Sequence, residues 1–154
     1  MPDRRAVVAE ARRWIGTPWV PAGSERGVGA NCLGFLAGVA RNLGLNDLAD
    51  AFVPYRGHAV PPTPKALLLG LRRHLRPVAP ARALPGDLLL FDLGAGLRHV
   101  ALLSAPDTIV HAHEGQGRVV EQRLVWAPHS AYRIPGVEQW RHWRSVSAVR
   151  WPAA

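Results

Sequence analysis

The spacing of apolar positions changes near Gly86 and divides the chain into a helical first part and a strand-rich second part. Before that point, apolar residues recur at helical spacing and predict helices over 3–15, 32–43 and 64–74. A glycine-rich loop over 19–30 separates the first two helices. The first half of the chain is therefore predicted to supply helices with one apolar face each.

Capping residues mark the predicted helix ends. Asp3 and Asn31 are good N-caps, and Thr63 followed by Pro64 is a typical helix start. Gly44 is suited to end the second helix. Because Asn31 is the predicted cap, Cys32 is expected at the first helical position.

After Gly86 the sequence is typical of strands separated by short turns. We expect strands over 87–93, 98–104, 108–113, 118–122 and 145–151. The short connections favour an antiparallel meander, and the almost wholly apolar first strand predicts burial on both of its faces. Helices first and strands later predict an α+β fold, with the N-terminal helices packed on one face of a central antiparallel sheet.

Two stretches predict no regular element. Residues 45–62 contain Pro54 and a Pro61-Pro62 pair, and residues 77–87 are interpreted as a linker. The segments that they separate are too short to fold alone, so we expect a single domain over residues 1–154.

The charge of the chain narrows the classes of partner. Its 19 basic and 11 acidic residues give a net charge of +8, which favours anionic partners. The arginines are scattered without a basic run, so a solvated basic surface is expected and nucleic-acid binding is not. No apolar run is long enough to cross a bilayer, and no signal-peptide core is present, so we expect synthesis in the cytoplasm and no membrane insertion.

Cys32 is the only cysteine and the first candidate for chemistry. A sulfur at a helix N-terminus is favoured as the thiolate, which is the form that attacks a carbonyl carbon. The preceding glycines let a substrate backbone approach the sulfur. The alternative interpretation is that a lone cysteine serves only as a small, buried apolar side chain.

Histidines on the predicted strands supply a candidate base. His99 and His111 lie on neighbouring strands, and His113 shares a strand face with His111. We expect His99 and His111 side by side on the sheet face where the N-terminus of the Cys32 helix docks. Zinc binding by these residues and Cys32 is the rival hypothesis, but His111 and His113 form the only closely spaced pair of ligands.

The sequence resembles a known family, the NlpC-type cell-wall cysteine peptidases, which are papain-like. The resemblance covers roughly residues 6–122, and five segments carry it in order: ARRWIGTPW at 11–19, GVGANCLGF at 27–35, LPGDLLLF at 84–91, RHVALL at 98–103 and IVHAHEG at 109–115. The resemblance implies a papain-like fold, no metal and no cofactor. It also implies hydrolysis of amide bonds in peptidoglycan stem peptides, typically next to D-glutamate.

The matched positions imply roles for three residues. Cys32 corresponds to the nucleophile, His99 to the general base and His111 to the polar residue that orients this base. The leucine after the cysteine and the HAHEG ending look most like peptidases of phage tails and gene-transfer particles. This variant implies tail-tip or other particle proteins as partners and action on the cell wall from such a particle.

The sequence also departs from the family pattern. The family has Asp before the cysteine, Ser after it and Tyr in the loop, where this chain has Asn31, Leu33 and Trp19. Asn31 lacks the negative charge of that aspartate, and Leu33 has no polar side-chain atom, so we expect weaker binding of a free substrate amine. The expected substrate-binding residues are Trp19, Asn31, Leu33, Arg98 and His113. A weakly active structural or wall-binding module and a thiolate acyltransferase on the same scaffold are the alternative functions.

Overall fold

The structure, a computed structural model, describes residues 1–52, 64–94 and 98–137. Four helices lie in these ranges: α1 (Arg4–Arg13), α2 (Cys32–Asn42), α3 (Asn46–Phe52) and α4 (Pro64–His74). The strands described there are β1 (Ser24–Glu25), β2 (Gly29–Ala30), β3 (Arg76–Val78), β4 (Leu88–Asp92), β5 (Arg98–Ala105), β6 (Thr108–His113), β7 (Arg118–Arg123) and β8 (Ser130–Arg133). None of the described helices has the length and apolarity that a membrane span requires.

Six of these strands form one antiparallel sheet with the order β3-β8-β4-β5-β6-β7. Its β4-to-β7 part is the predicted meander. The short strands β1 and β2 pair separately as a hairpin ahead of α2. The meander thus places the histidine-bearing strands β5 and β6 next to each other in the middle of the sheet.

Apolar side chains cover both faces of the sheet. On the first face, Leu90, Val100 and Val110 join a core cluster with residues of all four helices. On the opposite face, Leu89 and Phe91 lie in a second cluster. The predicted α+β class, the helices on one face of the sheet and the double burial of β4 are therefore confirmed.

Some elements differ from the sequence prediction. Helix α3 forms within a stretch expected to be irregular, because Leu48, Ala49 and Phe52 bury an apolar face in the helical core. Strand β3 overlaps the start of the predicted linker, and its Pro77 is tolerated because β3 is at the sheet edge. Thr63, as a helix cap, and the strand expected over 145–151 lie outside the described residues.

A buried carboxylate ties the first helix to the sheet. Asp87 is fully buried and accepts hydrogen bonds from Arg4 Nη1 at 2.9 Å and from Arg133 Nε at 3.1 Å and Nη2 at 2.9 Å. The backbone N–H of Leu84 also donates to Asp87 at 2.8 Å. One carboxylate therefore neutralises part of two guanidinium charges, of which Arg4 is only 3% exposed.

We predict that Asp87→Ala lowers the free energy of unfolding by about 3–5 kcal/mol, because it leaves the buried Arg4 charge without its partner. Asp107→Ala is the matched control, since Asp107 pairs with Arg123 at 3.8 Å on the surface and is expected to cost no more than about 1 kcal/mol. Urea unfolding of both variants measures the difference. Equal losses in the two variants would contradict the structural role of Asp87.

Candidate active site

The N-terminus of α2 is built as the sequence predicts. Asn31 has extended backbone angles (φ −94°, ψ −176°), and its side-chain oxygen accepts a hydrogen bond from the Gly34 N–H at 2.7 Å. Helix α2 begins at Cys32. This cap fixes Cys32 in the first helical turn, where backbone N–H groups are free to face the site.

The preceding loop packs tightly against this first turn. The Gly23 carbonyl accepts a hydrogen bond from the Asn31 N–H at 3.2 Å, and a Cβ added at Gly34 would lie only 1.7 Å from that carbonyl oxygen. The Ser24 hydroxyl donates to the Gly34 carbonyl at 2.8 Å. Glycine at position 34 is therefore a packing requirement that keeps the loop against the cysteine turn.

The Cys32 sulfur lies beside β5. Its side chain is half-buried, and the backbone N–H of Val100, the residue after His99, points at the sulfur. The described pairing of β5 with β6 ends at Leu102 and Val110, before it reaches this point. The sulfur therefore lies near the place where the two strands stop pairing.

Burial raises the pKa of the Cys32 thiol above its usual value. The N–H groups of Val100, Leu33 and Cys32 itself lower this pKa, but the loss of solvent outweighs them, and Glu114 raises it further. The expectation that the helix N-terminus makes Cys32 a ready thiolate is wrong for the free protein. The thiol is the resting form.

The two candidate histidines are in direct contact. His99 Nε2 lies 2.6 Å from His111 Nδ1, and the two rings are 4.9 Å apart between centroids. The predicted adjacency is confirmed. The His113 ring lies 5.1 Å from the His111 ring, so all three histidines line one stretch of the sheet.

Both histidines in the pair are held neutral. Burial, reinforced by the neighbouring His111 and His113, lowers the pKa of His99 from 6.5 to about 3. Burial also lowers the pKa of His111, while the Gln122 side chain opposes this shift and His113 adds to it. Nε2 of His111 is buried and has no hydrogen-bond partner of good geometry among the described residues.

The histidines and α2 approach from different faces of the sheet. His99 pairs with Phe91 across β4 and β5, and its ring stacks on Phe91 on the face opposite to α2. The expectation that the helix docks on the histidine face is therefore wrong in detail, because the side chains of a strand alternate between its faces. No hydrogen bond joins Cys32 to His99 in the described part of the chain, although Cys32 and His99 both lie next to Val100.

Trp126 and Phe91 are site residues that the sequence analysis missed. The Trp126 ring lies 6.2 Å from the His111 ring and 5.8 Å from the Phe91 ring, in edge-to-face geometry. These aromatic rings cover the histidine pair on the face away from the helices. Side chains of β4 alternate between the two sheet faces, so the face of Phe91 follows from its position in the strand. Trp126 lies in the loop after β7, where no repeating pattern predicts which way its side chain points.

Three of the expected substrate-binding residues also make contacts that hold the fold together. Trp19 is half-buried, and its backbone N–H donates to the Gly117 carbonyl at 2.8 Å. The Asn31 oxygen is engaged by the helix cap. Leu33 is 6% exposed and packs in the helical core, so only its backbone N–H faces the sulfur.

The other two expected residues flank the histidine pair. Arg98 forms an ion pair with Asp92 across β4 and β5, and the two side chains are 22% and 43% exposed. The Nδ1 atom of His113 accepts a hydrogen bond from the Gln116 N–H at 3.1 Å. Among the described residues, no group of three or more His, Cys, Asp or Glu side chains converges in a way that holds a metal ion.

Comparison with solved structures shows that the fold of this chain is similar to that of NlpC/p60 domains. The NlpC/p60 domain of the peptidoglycan hydrolase SagA aligns with a TM-score of 0.64 and 26% identity over 86% of this chain and 99% of that chain. The peptidoglycan hydrolase RipB from Mycobacterium tuberculosis gives 0.59 and 21% over 85% of this chain and 64% of RipB. NlpC2 from Trichomonas vaginalis gives 0.60 and 19% over 85% of this chain and 45% of NlpC2.

The sequence comparisons give a different result from the structural ones. No protein-family model and no curated protein matches the sequence. The likeness is therefore carried by the arrangement of helices and strands, and 26% identity to the SagA domain is the highest among these three structures. The chain has the papain-like fold of NlpC/p60 domains.

Proposed function

We propose that this protein is a cysteine peptidase that hydrolyses amide bonds in the peptide stems of peptidoglycan. Cys32 is the nucleophile, His99 the general base and His111 the residue that orients His99. The contact of 2.6 Å between His99 Nε2 and His111 Nδ1 carries the proposal. It occupies Nε2 of His99 and leaves Nδ1 free, and we propose that Nδ1 accepts the proton of the Cys32 thiol.

The acylation step follows from the neutral resting forms of these groups. His99 Nδ1 takes the proton of the Cys32 thiol as the sulfur attacks the amide carbon. His111 accepts a hydrogen bond from His99 Nε2–H and holds the ring while His99 carries the added proton. His99 then protonates the leaving amine, and the acyl group remains on Cys32 as a thioester.

Hydrolysis of the thioester uses the same groups in reverse order. Neutral His99 takes a proton from water, the hydroxide attacks the thioester carbon, and His99 returns the proton to the Cys32 sulfur. We expect the backbone N–H groups of the first α2 turn, including that of Cys32, to stabilise the negative oxygen that forms in each step. No cofactor and no metal takes part in this mechanism.

The proposed substrate rests on two supports. The SagA domain and RipB are described as peptidoglycan hydrolases, and they share this fold. The sequence motifs around Cys32, His99 and His111 resemble those of cell-wall peptidases that cut next to D-glutamate. On the same motifs, we propose that the protein joins a phage-like or gene-transfer particle and acts on the wall.

We predict that Cys32→Ala abolishes the release of new amino groups from purified peptidoglycan. His99→Ala is expected to lower kcat/KM by roughly 10²- to 10⁴-fold, because it removes proton transfer at both steps. His74→Ala is the matched control, since His74 is exposed at the end of α4 and is expected to leave kcat/KM unchanged.

The same assay separates the competing interpretations. Wall binding without amine release by the unaltered protein would contradict the peptidase proposal and favour a structural module. A loss of only about threefold in His99→Ala, well below the effect of an acid–base catalyst, would show that another residue is the base. His113 is then the first residue to replace.

We also predict a preference for polymeric peptidoglycan over free stem peptides with an N-terminal amine. The Asn31 oxygen is engaged by the Gly34 N–H, and Leu33 is buried, so neither offers a negative partner to an ammonium group. Asn31→Asp keeps the cap and adds a charge. It is expected to raise kcat/KM on free tripeptide or tetrapeptide by roughly 10- to 100-fold, the range of a hydrogen bond to a charged group.

Intact sacculi provide the control for this prediction, because the stems of cross-linked wall carry no free amine at that end. The rate of amine release from sacculi by Asn31→Asp is expected to stay within about twofold of the unaltered protein, since the cap is retained. A clear preference of the unaltered protein for free peptides would contradict the assigned role of Asn31.

A further inference from the structure

A groove lies at the sheet edge far from Cys32. Its volume is about 350 Å³, and it is lined by residues of β3, the following 3-10 turn and β8: Arg76, Pro77, Val78, Ala79, Arg82 and Arg133. The sheet order places β3 three strands from β5, which is about 14 Å at the usual spacing between strands. The groove is therefore separate from the candidate active site.

The positive charge of this groove is not neutralised within the described residues. Arg76 and Arg133 are directly opposite each other in the β3–β8 pairing, a position where like charges destabilise a sheet. Arg133 is satisfied by Asp87, but that carboxylate is shared with Arg4. Arg76 and Arg82 form no ion pair with any described residue.

The packing around Arg133 holds the groove in shape. The Arg133 side chain is 13% exposed, because its guanidinium binds Asp87 through two nitrogens and also donates to the Arg82 carbonyl at 3.4 Å. That last contact fixes the 3-10 turn (Pro80–Arg82), which carries Arg82, against β8. The two unpaired guanidinium groups therefore extend from anchored backbone segments.

We propose that this groove binds a phosphate group. A tetrahedral phosphate offers enough oxygens to accept hydrogen bonds from Arg76 and Arg82 together and to stay near the positive charge of Arg133. None of the described residues that line the groove is aromatic, so they offer no ring on which a base would stack, which disfavours single-stranded nucleic acid. The phosphate belongs either to a free ion or to an anionic phosphodiester polymer of the kind found in cell walls.

Binding measurements on the full chain test this site. Calorimetric titrations use two probes, inorganic phosphate and poly(glycerol phosphate), with the unaltered protein and with the double variant Arg76→Gln, Arg82→Gln. We expect the double variant to weaken binding about tenfold or more, because it removes both unpaired guanidinium donors. Binding of phosphate with no gain for the polymer identifies the free ion, and tighter binding of the polymer identifies the phosphodiester chain.

A control variant with the same loss of charge tests whether weaker binding is specific to the groove. The double variant Arg118→Gln, Arg123→Gln removes the same charge from exposed positions on β7, at the opposite edge of the sheet, and is expected to change binding less than twofold. Equal weakening in both double variants, no binding of either probe, or tighter binding of a single-stranded oligonucleotide than of poly(glycerol phosphate) would overturn the proposal. Cleavage of a small soluble stem peptide by the Arg76→Gln, Arg82→Gln protein tests Cys32 chemistry separately and is expected to be unchanged.

Discussion

The position of the Cys32 sulfur next to β5 is the constraint on which the site depends. The Asn31 cap starts α2 at this residue, and the close contact of Gly34 with the Gly23 carbonyl holds the turn in place. The N–H of Val100 faces the sulfur near the point where β5 and β6 stop pairing. Strand β5 thereby carries His99 on one face of the sheet and, through the Val100 N–H, contacts the Cys32 sulfur of α2, which packs on the other face.

The same burial sets the protonation states of the site. Loss of solvent raises the pKa of Cys32 and lowers the pKa of His99 to about 3, so both groups are neutral at rest. A neutral imidazole is the form that accepts a proton, and a desolvated thiolate, once formed, is a strong nucleophile. The aromatic rings of Phe91 and Trp126 contribute to this environment by covering His99 and His111.

Local signals in the sequence predict the framework of the site but not its environment. The cap at Asn31 predicts the start of α2, and the twelve-residue separation of His99 and His111 predicts the contact of their rings. Both predictions succeed because they depend on short-range geometry. The raised pKa of Cys32 was not predictable, since it results from burial by segments distant in the chain. Trp126 was missed for the same reason, because a loop residue has no period that reports its direction.

The rate of Cys32 labelling by iodoacetamide as a function of pH tests the central claim, that the Cys32 thiol and the His99 imidazole are both neutral in the resting site. In native protein, the midpoint of the rate profile is expected to lie above that of the same protein unfolded in urea, whose free thiol titrates near its ordinary pKa of about 8.5. A native midpoint below the unfolded one, with the rate already constant between about pH 5 and 7, is the behaviour of a thiolate–imidazolium pair and would contradict the account.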